Sequence, residues 1–365
     1  MIYKIVKKVL SPSGIARLER LINQVQRPLL LAVSWSKFLC SVYYTFCSGS
    51  FRREHQGVVR GRLQYMKDAK DPLATQYLLR RNTHRLEKGL LMRPRRDVFA
   101  LDYIEDTVRC YERTIKARTA SATDPDLTDL QWSSDVLARY FEVAGAHPTI
   151  DAARGLFHPL ESKPQDRALV AAPYQRNLDD PPSVKYEELL ELARRRRSVR
   201  WFLPKPVPRD LIDNAVTLAA LSPSACNRQP FEFRIFDDAE LVREVTSIPM
   251  GTIGYAENVP AIVVLVGKLR AYYSERDRHL IYIDASLAAM SFCLALETQD
   301  LSSCCINWPD VGPFEKQMTK LLGLEPDERI IMLIALGYPD PEGLVAYSQK
   351  KPLGELRSFN RVTTS

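Results

Sequence analysis

Apolar residues recur at helical spacing along the first fifty positions. Ile2, Ile5, Val6, Val9 and Leu10 are interleaved with Lys4, Lys7 and Lys8. After Ser11-Pro12-Ser13-Gly14 the spacing returns in Ile15, Leu18, Leu21 and Ile22, accompanied by Arg17, Arg20 and Arg27. The stretch 28–47 is mostly apolar but carries Lys37 near its centre and serines at 34, 36 and 41. A membrane-spanning helix needs ~20 apolar residues, and a central lysine costs ~2.5–3.5 kcal/mol on insertion scales. The pattern therefore predicts a basic amphipathic segment over 1–50, not a crossing helix. It either lies on an anionic membrane surface or packs as a helical hairpin on the chain's own body. The apolar run starts too late for a signal peptide, and no small-residue cleavage pattern follows it.

Residues 51–158 read as a helical region, with apolar and charged residues at helical spacing over 74–90 and 100–115. Within it, Thr83-His84-Arg85-Leu86-Glu87-Lys88-Gly89-Leu90 puts His84 and Glu87 on one helical face, with Gly89 placed to end the helix. This is either a polar group aimed into a site or a helix end with a local ion pair. Prolines 159, 164, 173, 181 and 182 mark 159–184 as a linker. A C-terminal domain over 185–365 follows.

That domain alternates strongly. A short helix is expected over 186–195. Pro208 is set to open another, with Leu211, Ile212, Ala215, Val216 and Ala219 as its apolar stripe. Phe231, Phe233 and Ile235 alternate as in a strand, and 261–266 is a wholly apolar strand. The run 281–296, dense in Ala, Leu, Met and Phe, predicts a helix buried on nearly every side. Short strands are expected at 304–307 and 329–336, the second closed by Gly337-Tyr338-Pro339. The fold class is α+β, a mostly antiparallel central sheet sandwiched by helices.

Composition narrows the function. The chain of 365 residues is 45% hydrophobic and 26% charged, enough for a sizeable core and too apolar for wholesale disorder. Its seven cysteines form no Cys-x-x-Cys pair, so neither a disulfide scaffold nor a zinc ribbon is expected, and no metal site is assigned. They read as reduced thiols in a cytoplasmic protein. Residues 1–100 hold 20 Lys and Arg against 6 Asp and Glu, a net of +14, while the remainder carries −7. A basic third on an acidic body implies an anionic partner for that third: membrane lipid met peripherally, nucleic acid or a polyanionic polymer. Nucleic acid is excluded as a partner because no aromatic-interleaved or groove-reading motif occurs. No Gly-x-Gly-x-x-Gly, P-loop, His-Glu-x-x-His or Gly-x-Ser-x-Gly is present.

Three stretches concentrate the chemistry: Arg196-Arg197-Ser198-Val199-Arg200, then Pro223-Ser224-Ala225-Cys226-Asn227-Arg228-Gln229-Pro230, then Lys350-Lys351-Pro352-Leu353. Each alone reads as a solvated basic run or an ordinary turn. In this order, with Pro206-Val207-Pro208, Asn258-Val259-Pro260-Ala261, Asp284-Ala285 and Gly337-Tyr338-Pro339, they resemble the nitroreductase-like flavoprotein family over 186–361. The segment 84–90 is similar to one in longer members, some encoded with polysaccharide-assembly genes.

The resemblance implies an FMN-dependent enzyme, active as a homodimer with FMN at the interface. No side chain is required as a catalyst, because the flavin takes a hydride from NAD(P)H and passes electrons to a small-molecule acceptor. Arg196, Arg197, Lys350 and Lys351 would neutralise the phosphate, and Ser198 would donate to the phosphate or the ribityl chain. Arg200 would sit by the pyrimidine edge and favour the reduced form. Pro223, Ser224, Asn227 and Gln229 would meet the ribityl hydroxyls and ring edge. The backbone amides of Cys305, Ile306 and Asn307 would face the ring. Trp308 and His84 are the expected substrate-side residues. The stretch 299–305 departs from the family, which often has glycines there, and Phe231 stands where tryptophan is frequent. Two other readings stay open. One is a different chemistry on the same fold: reductive dehalogenation, flavin fragmentation or azoline oxidation. The other is a degenerate, flavin-less member acting as a membrane-associated scaffold.

Overall fold

The structure is a computed structural model that describes residues 11–74, 76–121, 127–160 and 170–362. The expected helix around Ile2–Leu10 and the linker proline at 164 lie outside the described residues. The chain divides after Val59 into two units.

In the first unit, α1 (Pro12–Ser34) is capped by the Ser11 hydroxyl, which accepts from the Gly14 N–H at 3.2 Å. A short α2 (Lys37–Val42) follows, capped by Ser36, and runs into a π-helical turn at Tyr43–Cys47. None of the residues between 11 and 56 whose side chains are described is buried.

The second unit has two packed layers. After α3 (Arg52–Asp68), which runs into it, come α4 (Tyr77–Leu90), α5 (Ile104–Ser121), α6 (Thr128–Val143) and α7 (Pro148–Phe157). Leu79, Leu86, Ile104, Val108, Val136, Leu137, Tyr140, Ile150 and Phe157 form a core among them. Gly89 does not end α4. It lies flat against Phe99, where a Cβ would come within 2.2 Å of the ring, and the helix runs on to Leu90.

The other layer is a four-stranded sheet of β1 (Phe231–Phe236), β2 (Ala261–Lys268), β3 (Ser302–Asn307) and β4 (Glu328–Gly337). The spatial order is β1-β2-β4-β3 and every pairing is antiparallel. β2 is buried through its first seven residues, as its unbroken Val/Ile/Leu run requires. α8 (Tyr186–Arg195) and α9 (Arg209–Ala220, opened by Pro208 as its cap residue) precede the sheet. α10 (Ala239–Thr246) and α12 (Gly312–Leu322) contribute Val242, Val245 and Met318 to the core on one face. α11 (Leu280–Glu297) packs on the other, with Phe292 against Phe233 at 5.1 Å. A Cβ at Gly267 would come within 2.7 Å of Ile331 of β4 and 3.0 Å of Ile281 of α11.

α11 corrects the expectation of a helix buried on nearly every side. Ile281, Asp284, Ala285, Ala288, Phe292 and Leu296 face the interior, but Tyr282, Ile283, Leu287 and Met290 are exposed as an apolar stripe. Among the described residues this region holds the helix long and apolar enough to cross a membrane, yet half of that stretch is buried against the sheet.

Candidate functional site

The arginine run leaves α8 and crosses to the sheet edge. The Val199 N–H donates to the Ser303 carbonyl at 3.1 Å, which bridges Ser198 to β3. Asn258 clamps the next turn: its Oδ1 accepts from the Phe202 N–H at 2.6 Å and its Nδ2 donates to the Phe202 carbonyl at 3.1 Å. Arg197 donates to the carbonyls of Ala346 and Tyr347, which draws the C-terminal tail alongside. Arg200 lies 5.8 Å from the Tyr255 ring. Arg195 reaches Glu297 of α11 at 3.7 Å. Arg196, Arg197, Ser198, Arg200 and β3 thus share one end of the unit, with the tail that leads to exposed Lys350 and Lys351.

β3 is an edge strand. Residues in an antiparallel ladder alternate between exchanging both backbone bonds with the neighbour and pointing both away. The Ser303 carbonyl points off the sheet to Val199, so Cys305 and Asn307, of the same parity, also aim their amides outward. Ile306 has the opposite parity. Its amide faces β4 and its side chain is buried, which corrects its place among the expected amide donors. Trp308 is also corrected. It is buried in the sheet core, and its indole N–H donates to buried Glu315 at 2.5 Å, so its ring is not offered to a ligand. The glycine-poor entry to β3 is resolved by Asp300, which takes φ +58 in the left-handed region that favours glycine.

The Pro-Ser-x-x-Asn-x-Gln loop is a second cluster. Cys226, Asn227 and Gln229 have φ of 54, 49 and 50, a run of left-handed non-glycine residues that the surroundings must hold in place. Ser224 Oγ accepts from the Gln229 N–H at 3.0 Å, and the Ala225 N–H donates to Asp284 Oδ2 at 3.0 Å. Gln229 Nε2 donates to the Ala220 carbonyl at 2.9 Å. Pro223 and Asn227 are exposed. Arg80 of α4 joins from the other layer, donating from Nε to the Asn227 carbonyl at 2.9 Å and from Nη2 to Gln229 Oε1 at 3.1 Å. His84 lies one turn further along the same face. No pattern along the chain marks Arg80, because its partners lie about 150 positions away.

The two clusters do not meet within one chain. Ala225 is tied to Asp284 near the start of α11, and Arg195 to Glu297 at its end. At ~1.5 Å per residue their anchors are roughly 20 Å apart.

Two thiols lie between the clusters. Cys293 of α11 and Cys305 of β3 sit with their sulfurs 3.8 Å apart. The hydrogen bond from Cys305 lowers Cys293 to about 7, ahead of the opposing effect of burial. Cys305 is pushed far up by the same contact and by burial. Cys304 points the other way, into the core beneath Tyr255.

The arginine end suits an anionic, phosphate-bearing ligand. Arg196 Nε is buried with no hydrogen-bond partner. The Ser198 hydroxyl has no partner among the described residues, and Ser198 bridges to β3, whose Cys305 and Asn307 amides aim outward. Among the described residues no cluster of His, Cys, Asp or Glu could hold a metal ion.

The nitroreductase family model matches residues 193–256 and 254–338. Residues 193–338 belong to the nitroreductase family. The unit they form is therefore that of a nitroreductase-family oxidoreductase, with an α+β fold around an antiparallel sheet and a helical region before it. Iodotyrosine deiodinase 1 of Homo sapiens is 24% identical over 198 residues, 47% of this chain and 68% of that protein. Iodotyrosine deiodinase of Nematostella vectensis is 23% identical over 200 residues, 47% of this chain and 75% of its own. Among solved structures, an FMN-dependent nitroreductase from Clostridium difficile R20291 aligns with 47% of this chain and 99% of that one, at 22% identity and a TM-score of 0.41. A nitroreductase family protein from Streptococcus pneumoniae TIGR4 gives 47%, 99%, 22% and 0.41.

Proposed function

We propose that the protein is an FMN-dependent oxidoreductase that moves reducing equivalents from NAD(P)H to a small organic acceptor. The observation that carries this is the arginine end of the nitroreductase-family unit, where the Arg196 Nε donor is buried and unanswered. Bound FMN would supply the hydride chemistry. Arg196 and Ser198 would hold its phosphate and ribityl oxygens, with Lys350 and Lys351 adding positive charge from the tail. Arg200 would favour the reduced, negatively charged ring. The amides of Cys305 and Asn307 would orient the ring, and Ser224 and Asn227 would hold its other edge.

Those last two residues belong to the far cluster, so the reading requires a homodimer. The exposed Ile283, Leu287 and Met290 of α11 recur at helical spacing, and Leu218 of α9 is exposed as well. Two copies packed with α11 antiparallel would set one chain's arginine end beside the other's Ser224 loop. The exposed tail, with Leu344, Tyr347, Leu353, Leu356 and Phe359, offers further apolar surface to a second copy.

The test is the visible spectrum of the purified protein, with chromatography of what heat releases and sedimentation of the native particle. One FMN per chain on a dimer is expected. A colourless protein that takes up no added FMN overturns the reading in favour of the scaffold. A second chemistry, reductive dehalogenation, is favoured by the deiodinases among the relatives. Halide release from a halogenated phenol in the presence of reductant would distinguish it.

The location proposed is peripheral to a membrane. In the first unit Leu21, Val25, Leu29, Trp35, Phe38 and Phe46 are exposed together with Arg17, Arg27 and Lys37. Apolar and basic groups in one segment suit an anionic lipid surface. Flotation with phosphatidylserine vesicles tests this, and failure to float overturns it. A link to cell-surface polymers rests only on the likeness of the 84–90 segment.

A further inference from the structure

Helix α4 carries a connected polar chain that the proposed function has not used. Arg80 fastens it to the left-handed loop through the Asn227 carbonyl and Gln229 Oε1. The Arg80 guanidinium lies 5.4 Å from the centre of the Trp132 ring. The Trp132 indole N–H donates to Glu87 Oε1 at 2.9 Å, and Glu87 Oε2 faces His84 Nδ1 at 3.3 Å. Both carboxylate oxygens of Glu87 are engaged. The helix beneath is fixed by fully buried Leu86 and by Thr83, whose hydroxyl meets that of Ser133 at 3.0 Å.

The chemistry of this chain is directional. An ionised carboxylate only accepts, so His84 Nδ1 carries the proton toward Glu87. In the neutral ring Nε2 then bears a lone pair, and it has no partner among the described residues. The His84 side chain is 30% exposed, enough to be reached. Positions 80, 84 and 87 share one helical face, and Arg80 shows that this face meets the loop.

We propose that α4 is a wall of the cofactor site: Arg80 positions the Cys226–Gln229 loop, and His84, oriented by Glu87, presents Nε2 to a hydroxyl-bearing acceptor. The proposal rests on the FMN reading above. It makes the helical layer part of the site. Arg80 acts through the loop and is a positioning residue, while His84 touches the acceptor. The acceptor class follows from the lone pair, which recognises an O–H donor such as an alcohol or phenol.

The experiment uses the full-length chain. FMN is titrated into the apoprotein, followed by fluorescence quenching, and the loaded protein is titrated with 4-cresol and with toluene, which differ by one hydroxyl. Perturbation of the flavin absorbance reads the second titration. Wild type is expected to prefer 4-cresol by about five- to tenfold, the worth of one hydrogen bond. His84→Ala should abolish that preference and leave both toluene binding and the FMN Kd unchanged. Arg80→Gln should raise the FMN Kd by about tenfold. Arg80→Lys, which keeps the charge but not the fork, should raise it less and serves if the glutamine variant does not fold. A preference that survives in His84→Ala, no preference in wild type, or an unchanged FMN Kd in the folded Arg80 variants overturns the proposal and leaves the FMN reading standing. Failure of wild type to take up FMN overturns both.

Discussion

The Tyr272 hydroxyl donates to Asp284 Oδ2 at 2.7 Å inside the nitroreductase-family unit, and both side chains are buried. The same oxygen receives the Ala225 N–H at 3.0 Å. Burial first, and then the bond to Asp284, push the Tyr272 phenol well above its ordinary range, so it stays a donor. Tyr272→Phe removes one of the two donors to a buried carboxylate. It should cost ~1–3 kcal/mol in urea unfolding and weaken FMN uptake by loosening the Ala225 end of the loop.

A second buried carboxylate tests the sheet end. Arg270 grips Asp327 with two bonds, Nε to Oδ2 at 2.8 Å and Nη2 to Oδ1 at 2.6 Å, and its backbone N–H adds a third at 3.1 Å. Arg270→Ala strands the carboxylate and should cost ~3–5 kcal/mol by denaturant midpoint. Arg270→Lys should cost less, because the charge survives while the fork does not.

Gly89 supplies a steric test. A methyl there would sit 2.2 Å from Phe99, in the core of the helical layer. Gly89→Ala should destabilise by ~1–3 kcal/mol through overpacking, although alanine is the better helix former. A raised melting temperature would show that Phe99 yields freely.

Gly89 also shows what a linear reading misses. Its place near the end of an apolar period looks like a stop, whereas its reason is a ring brought in from elsewhere. The strands were legible because Phe231, Phe233 and Ile235 alternate and 261–266 is unbroken. The arginine run and the Ser224 loop were legible as motifs. Their separation along α11 was not, because motif order carries no distance. The free face of α11 was hidden for a related reason: apolar residues on all sides leave no period to mark the side that lacks a neighbour. Ile306 was not legible because strand parity depends on one bond, Val199 to Ser303, and Trp308 because its partner Glu315 comes from the helix that follows. Asp300 hid a backbone need usually signalled by glycine.

Glu232 gives a pH test. Burial alone would raise its carboxyl, but the hydrogen bond and charge of Lys268, with Arg234, outweigh this and hold it below its ordinary value of 4.5. A lowered folded value stabilises the native state above the unfolded pKa, and the gain is lost as pH falls below about 4.5. Glu232→Gln should remove that gain, lowering the stability plateau above pH 6 and flattening the acid limb below about 4.5.

The exposed stripe of α11 tests assembly. Leu287→Glu sets a charge in the middle of the surface offered to a second copy. It should give a folded monomer by sedimentation, with FMN uptake lost alongside the dimer. A dimeric Leu287→Glu that still binds FMN would exclude this stripe as the interface.

The spacing set by α11 carries a genetic consequence. If each cofactor is held by the arginine end of one chain and the loop of the other, a chain crippled at Arg196 and a chain crippled at Ser224 are each inert alone. When the two are unfolded and refolded together, each mixed pair contains one site with both defects and one with neither. Random pairing should restore about a quarter of the sites. Two dead alleles would then complement in a single cell, while either one, overexpressed beside the wild type, would still leave one working site for every wild-type chain.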